Sequence, residues 1–371
     1  MPEAESHVAA PPLPPPGAEN LCAQVLRNCD ISDARFAGSF SICGLALRLR
    51  DLYKWEKGLA PWVEHPSKRV LAWIGTKEER WDSLAQAPFL DLKLNGSRKD
   101  PFDTDPINAH LMPAGLFYGA GYARALKPTF LLAEITTSRT LEGIPVLLLG
   151  REIARDMLTI PALTQGDTIL VRQEAALQYL WDQLFFVPKS GRQPLAAALA
   201  GRGLSLDRPE EIQRQLPRLL RIQLPTLIRH ELGEVRDGTL DRGTWRKIVS
   251  AFPHTPVELF ARRLKDLLAD THPQGPLPSI IRQRRRAALS FYVAFLDSFA
   301  ARIFPGLVPA YQRFQSDSQW PALETCLAEG RGRFKQLADR LQTLFRESEA
   351  GKRLDQTQGV IMQEIINPLI K

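Results

Sequence analysis

Apolar residues recur at helical spacing over most of the chain and alternate over a smaller part of it, and the switches between the two periods outline the fold. From Phe40 to Lys57, Ile42, Leu45, Ala46, Leu49, Leu52 and Tyr53 fall three and four apart, predicting a helix, preceded by one that Asp30 or Ser32 can cap. Trp55, Trp62, Trp73 and Trp81 then supply large core anchors. From Phe89 the period changes. LDLKLNGSRK alternates and contains Asn95-Gly96, a dipeptide that tolerates the positive φ angles of a tight hairpin turn. TFLLAEITTSR and IPVLLLG, separated by TLEG, read as a second hairpin. Residues 151–158 read as a return to helix, 167–171 as a short strand and 173–187 as a helix.

Beyond residue 204 the pattern is almost wholly helical: 209–236 with interruptions at Pro217 and Pro225, then 241–251, 256–270, 279–304, 306–315 and 320–347. Within 279–304, LSFYVAFLDSFAARIF is apolar nearly all round, which predicts a central buried helix. Gly191, Gly201 and Gly203 with flanking prolines mark a domain boundary. The expected organisation is a disordered Pro-rich tail over 1–19, a mixed module over 20–203, a helical module over 204–347, and a linker with a short amphipathic tail over 348–371. The fold class is therefore α+β: a mixed N-terminal module with short β-hairpins and an all-α C-terminal module, predominantly helical overall.

Composition narrows the class without naming a function. With 371 residues, 44% hydrophobic and 24% charged, the chain matches ordinary globular proteins, which excludes disordered, collagen-like and coiled-coil readings. It contains no run of eighteen apolar residues, and its first residues have neither a basic segment nor an apolar one, so a soluble cytoplasmic protein with no membrane partner is expected. The cysteines, Cys22, Cys29, Cys43 and Cys326, form no C-x-x-C pair, and Cys43 among Ile42, Leu45, Ala46 and Leu49 reads as a small buried hydrophobe. The net charge of +7 lies wholly in the second half: residues 1–204 hold 22 basic against 22 acidic side chains, and 205–371 hold 26 against 19.

Familiar chemical motifs are missing. There is no G-x-x-x-x-G-K-[ST], H-E-x-x-H or G-x-S-x-G, which removes the P-loop, zincin and α/β-hydrolase readings. Gly119-Ala120-Gly121 lacks a third glycine and a preceding strand, so close backbone packing outweighs phosphate binding there. Asp103 cannot open an EF-hand loop, because Asn108 and Ala114 stand where Gly and Glu are required, and Asp105 before Pro106 reads as a helix cap. Thr255-Pro256-Val257-Glu258 is a capping box, which assigns Glu258 to its own helix end.

NCDISDAR, SICGLALRLRDLYKWEKGL, DPFDT, GLFYGAGYA, LKPTFLLAEI, HELGE at 230–234, AFPHTPVEL, KDLLADT and SFYVAFLD, spread over residues 27–305, resemble a family of uncharacterised bacterial proteins known only as a domain of unknown function. The resemblance implies a bacterial setting and an N-terminal plus a C-terminal module. It carries no activity.

One constellation of ionisable residues remains. At about 100° per residue, Leu224, Leu227, Ile228, Leu232 and Val235 form one arc of the helix around 224–236, with Glu231 inside it, Glu234 at its edge and His230 just beyond. A carboxylate aimed at a core must be protonated, paired or metal-bound. On the predicted helix 279–304, Arg286, Ser290 and Asp297 share a stripe about 40° wide, which makes that helix the natural partner.

Two readings follow. In one, Arg286 pairs with Glu231 or Glu234 while His230 and Asp297 complete a hydrogen-bonded network. In the other, His230, Glu231, Glu234 and Asp297 are ligands of iron, manganese or zinc in an enzyme, and Arg286 is tolerated only by binding an anionic substrate beside the metal. Asp266 and Asp270 fall opposite the apolar face of their helix and read as solvated. A rival class is a non-catalytic interaction protein whose basic surface at Arg282, Arg284 and Arg285 binds nucleic acid or a protein partner.

Overall fold

The computed structural model describes residues 19–351 and 354–370, so the Pro-rich tail expected over 1–19 lies outside the described residues except for Glu19, which begins a helix. The described residues divide into two compact units: 19–123, 127–161 and 170–181, and 124–126, 162–169, 182–351 and 354–370. The division falls at Trp181 and Asp182 rather than at the expected glycines. Gly191 is instead in close contact within the second unit, where a Cβ would meet the Ala294 carbonyl oxygen at 2.2 Å.

In the first unit, α1 (Glu19–Phe36) and α2 (Ile42–Glu56) are followed by α3 (Ser67–Asp82). Ser41 caps α2 by accepting from the Gly44 amide. Asp30 and Ser32 are not caps. They lie buried inside α1, which is longer than the apolar periodicity indicates because its inner face carries polar residues. Cys43 is exposed, since the first turn of α2 projects from the core, contrary to expectation. The strands β1 (Leu92–Leu94) and β2 (Ser97–Lys99) form the expected hairpin, with Asn95 and Gly96 at φ of 46° and 79°. A short helix, α4 (Thr104–Leu111), follows with Asp103 rather than Asp105 at its N-cap.

Four strands of this unit stand side by side in the order β3 (Leu116–Tyr122), β4 (Pro128–Leu141), β5 (Ile144–Arg155) and β7 (Thr168–Arg172), the last two residues before Leu170 counting with the second unit. The β4–β5 turn is Glu142-Gly143, with φ of 50° and 84°. Strand β3 is an edge and contains Gly119 and Gly121. Gly119 lies opposite Leu131, where a Cβ would come within 2.9 Å of the Leu131 side chain, so the glycine does serve close packing. The open edge of β3 is covered by Asn108, whose amide donates to the Tyr118 carbonyl and accepts from the Tyr118 amide, both at 2.8 Å.

Strand β5 corrects the expected helix at 151–158. Its inner face buries Glu152 and Arg155 beside Arg172 of β7, and this run of charges hides the alternation that signals a strand. Arg172 Nη2 donates to Glu152 at 3.0 Å and Arg155 lies 3.2 Å from it. Burial alone would raise the Glu152 carboxyl, but the two guanidiniums hold it below its usual range. Nearby, Lys127 lies 2.9 Å from Asp33 and 3.4 Å from Asp156, and donates to Ser32 at 2.9 Å.

The second unit begins its helical course after β6 (Ala162–Gln165) and α5 (Gln173–Phe185), with α6 (Arg192–Ala200), α7 (Pro209–Arg236), α8 (Arg242–Ala251) and α9 (Pro256–Thr271). Then come α10 (Pro276–Arg282), α11 (Arg286–Ala294), α12 (Ser298–Ile303), α13 (Leu307–Asp317) and α14 (Trp320–Gly351). Helix α7 passes through both Pro217 and Pro225 without ending. The helix expected over 279–304 is three short helices, because Arg284 adopts a positive φ of 50° and Asp297 caps α12 by accepting from Ala300 N at 2.7 Å. The region expected as a linker after 347 is still α14 up to Gly351. Helix α15 (Leu354–Ile361) and the turns after it bury Ile361, Ile365 and Ile366 in the core of this unit. Among the described residues no helix is long and apolar enough to cross a membrane.

The Lys127 cluster has a consequence for stability. Two buried carboxylates share one lysine. Burial together with Asp156 pushes Asp33 up to about 7 from an ordinary value of 3.8, even though Lys127 opposes the shift. A pKa raised on folding contributes stability that is complete below the unfolded value and is lost as pH rises through the folded one. Asp33→Asn should therefore gain on the parent chain as pH rises from about 4 to about 7, with the difference level above that window. Urea unfolding across this range checks it, and two parallel pH profiles would contradict it.

Candidate functional site

The second unit brings two polar helix faces together. The HELGE segment at 230–234 lies on α7, and at Gly233 that helix approaches α9 so closely that a Cβ would meet the Ala269 carbonyl oxygen at 2.2 Å. No other residue fits there without moving backbone. The approach sets His230 and Glu234 of α7 against Asp266 and Asp270 of α9. Each pair is spaced by four residues and so shares a face of its helix.

His230 Nδ1 lies 2.7 Å from Asp270 Oδ1, and the Tyr292 hydroxyl of α11 donates to Asp270 Oδ2 at 2.6 Å. Lys265 lies 2.9 Å from Glu234, and Arg263 lies 3.0 Å from Asp266 and also pairs with Asp297. Glu231 turns aside and accepts from the Thr164 hydroxyl of β6 at 2.9 Å.

The charges are tightly interdependent. Burial would lower the His230 pKa, but the Asp270 carboxylate outweighs it and holds the imidazole well above its ordinary value. Burial and neighbouring Glu234 push Glu231 up to about 7, and burial raises Asp266 against the pull of His230 and Arg263. Burial and then Asp270 carry Tyr292 well above its usual range. All four groups are shifted toward retaining a proton, as expected where carboxylates outnumber cations. On the same stripe of α7 as His230, seven and four residues before it, the buried Gln223 Nε2 and Thr226 Oγ1 have no hydrogen-bond partner.

This arrangement corrects the sequence-based site. His230 and Glu234 are in it, but Asp297 is not withdrawn into the core: its side chain is 43% exposed and its role is to cap α12 and pair with Arg263. Arg286 is exposed with its guanidinium over the Phe314 ring at 5.1 Å, so it pairs with neither Glu231 nor Glu234, and Ser290 accepts instead from the Tyr311 hydroxyl. Their expected stripe does not exist, because the continuous helix that would carry it is broken.

Asp266 and Asp270, expected to be solvated, face α7. Two i,i+4 pairs, His230/Glu234 and Asp266/Asp270, were visible in the sequence, as was a glycine inside the first. What the sequence lacked was the information that these faces meet. Glu258 behaves as the capping box implies, but reaches further: its carboxylate accepts from the amides of His254 at 2.9 Å and Ala125 at 2.8 Å and pairs with Arg262.

Among the described residues, ligand atoms of His230, Glu234 and Asp266 lie within 4.8 Å of one another, a spacing at which they could hold a metal ion; the expected ligands Glu231 and Asp297 are not among them. The arginines expected to form a basic face are partly committed elsewhere. Arg282 donates to the Pro273 carbonyl at 2.9 Å and Arg285 to the Ile222 carbonyl at 2.7 Å, while Arg284 is exposed.

The chain belongs to a two-domain family of unknown function, DUF6866: the model of the family's N-terminal domain matches residues 20–172 and that of its C-terminal domain residues 177–364. No curated protein and no solved structure matches it.

Because the site exists only where α7 and α9 touch, Gly233→Ala should destabilise the chain by at least about 2 kcal/mol, the cost of overpacking against backbone. Gly332→Ala, on α14 with nothing within 4 Å of the new Cβ, should instead stabilise it by roughly 0.5–1 kcal/mol. Chemical denaturation of both variants decides this, and equal effects would refute the packing argument.

Proposed function

We propose that the second unit binds a divalent cation of the iron, manganese or zinc class through His230, Glu234 and Asp266. The observation that carries this reading is the gathering of one imidazole and two carboxylates within 4.8 Å, with His230 Nδ1 already engaged by Asp270. That bond leaves Nε2 as the nitrogen to face an ion, and a carboxylate behind a ligating imidazole fixes its tautomer and orientation. Tyr292, donating to the other oxygen of Asp270, holds that carboxylate in place in turn.

The donor set suits these metals. Nitrogen and carboxylate ligands bind them at about 2.0–2.2 Å, which puts ligand atoms roughly 3–4 Å apart, so small side-chain shifts would close the site. Charge also favours a cation. With His230 neutral, the carboxylates of Glu234, Asp266 and Asp270 outnumber the permanent cations Lys265 and Arg263 beside them. A divalent ion with neutral His230 brings this group near balance.

Three protein ligands leave coordination positions open, which is the arrangement of catalytic rather than purely structural sites. Lys265 and Arg263, beside Glu234 and Asp266, suit an anionic substrate there. The reading is thus a metal-dependent enzyme acting on an anionic substrate, with Lys265 and Arg263 holding the anion.

Elemental analysis of the untagged protein should find about one iron, manganese or zinc ion per chain, retained from expression or after addition of the metal. Asp270→Asn should weaken the affinity about 10- to 100-fold while leaving the ligands in place. Substoichiometric metal that addition does not raise would refute the proposal. So would an affinity unchanged in the double variant His230→Ala, Glu234→Ala.

A further inference from the structure

The first unit contains a cavity of about 770 Å³, in the size range of small-molecule sites. One side is the inner stripe of α1, including Leu26 and Asp30. Leu52 and Trp55 come from the end of α2, Trp73 and Lys77 from α3, Glu152 and Ile153 from β5, and Glu174 from the first turn of α5. The lining is mostly apolar, with charged groups set into it, which is how sites for small organic molecules are built.

The two indoles are fixed in place. Trp55 Nε1 donates to the Glu152 carbonyl at 3.1 Å and Trp73 Nε1 to Glu56 at 3.0 Å, so both rings can serve as rigid walls.

The ionic partners in this cavity are almost all satisfied. Asp30 is met by Lys77 at 3.3 Å and Arg80 at 2.7 Å, Glu56 by Lys77 at 3.3 Å, and Glu152 by Arg155 and Arg172. Arg151 is taken by Glu134 at 2.6 Å. Glu174 is the exception. One of its oxygens accepts from the Glu152 amide at 3.0 Å, and no cation among the described residues pairs with it. Glu174 is exposed at the rim of the cavity, so its other oxygen is an accessible acceptor there, and partial desolvation raises its pKa against the pull of Arg155 and Arg151.

We propose that this cavity binds a small organic molecule with a flat apolar body and a cationic or N–H-donating head group, the body lying among Leu26, Leu52, Trp55, Trp73 and Ile153 and the head on Glu174. An ammonium or amidinium would meet, at the rim, the lining carboxylate that has no ion pair among the described residues, whereas an anion would meet Glu174 and find Lys77, Arg80, Arg151 and Arg155 already paired. The proposal is independent of the metal reading, since every lining residue lies in the first unit.

Calorimetric titration of the full chain with tryptamine, and with indole-3-propionate as its charge-reversed counterpart, tests it. Tryptamine should bind at least about tenfold more tightly than the acid, and Glu174→Gln, which keeps an acceptor for the Glu152 amide, should cost tryptamine about tenfold, as expected for one charge-assisted hydrogen bond. Thr76→Trp, at an exposed position lining the same cavity, should block tryptamine without touching the core. No binding of tryptamine at millimolar concentration would overturn the proposal. Equal binding of the acid, or an affinity unchanged by both variants, would overturn it as well.

Discussion

An ionised side chain taken out of water has to find an opposite charge or keep its proton, and the interiors of both units are shaped by that demand. In the first, Lys127 serves Asp33 and Asp156 together while Arg155 and Arg172 share Glu152, all of them almost fully buried. In the second, His230 leans on Asp270, Lys265 on Glu234 and Arg263 on Asp266. Such networks gain little net stability over an apolar core of the same volume, but removing one partner is costly, so they tie the arrangement to these residues.

The two networks differ in how fully they close. That of the first unit closes on itself, except that two acids share Lys127 and Glu174 stands apart at the cavity. That of the second unit retains more carboxylate than cation. Two of its acid oxygens and the imidazole are gathered on facing helices whose separation is set by a single glycine, Gly233. A close backbone contact beside a group of ionisable side chains is an economical way to hold ligands in place, because at this crossing only a residue without a Cβ fits against the Ala269 carbonyl.

Asp270 shows how the position of a residue in the fold decides its chemistry. Alone on α9 it would be an ordinary solvated aspartate. Covered by α7 it becomes the acceptor for both His230 and Tyr292, and the imidazole it holds presents its second nitrogen away from the bond. The cavity of the first unit follows the same logic in reverse: most of its charges are paired off around a largely apolar chamber, with Glu174 at its exposed rim outside any ion pair among the described residues.

Local sequence determined much of the secondary structure. Helical spacing located α2, α8, α9 and α13, the Asn95-Gly96 and Glu142-Gly143 turns marked both hairpins, and the family resemblance, with the two-module α+β class, was legible in the residues themselves. It failed where charges are buried. Glu152 and Arg155 hid a strand, Asp30 and Ser32 hid the middle of a helix, and 279–304 divides into three at the positive φ of Arg284 and at the Asp297 cap, the second concealed within an apolar run. The site was half visible: His230 and Glu234 could be named, but their partners could not. A single helix wheel can show only which residues share a face. That the polar face of α9 is covered, and by which helix, depends on a contact between residues some forty positions apart, and only the folded chain contains it.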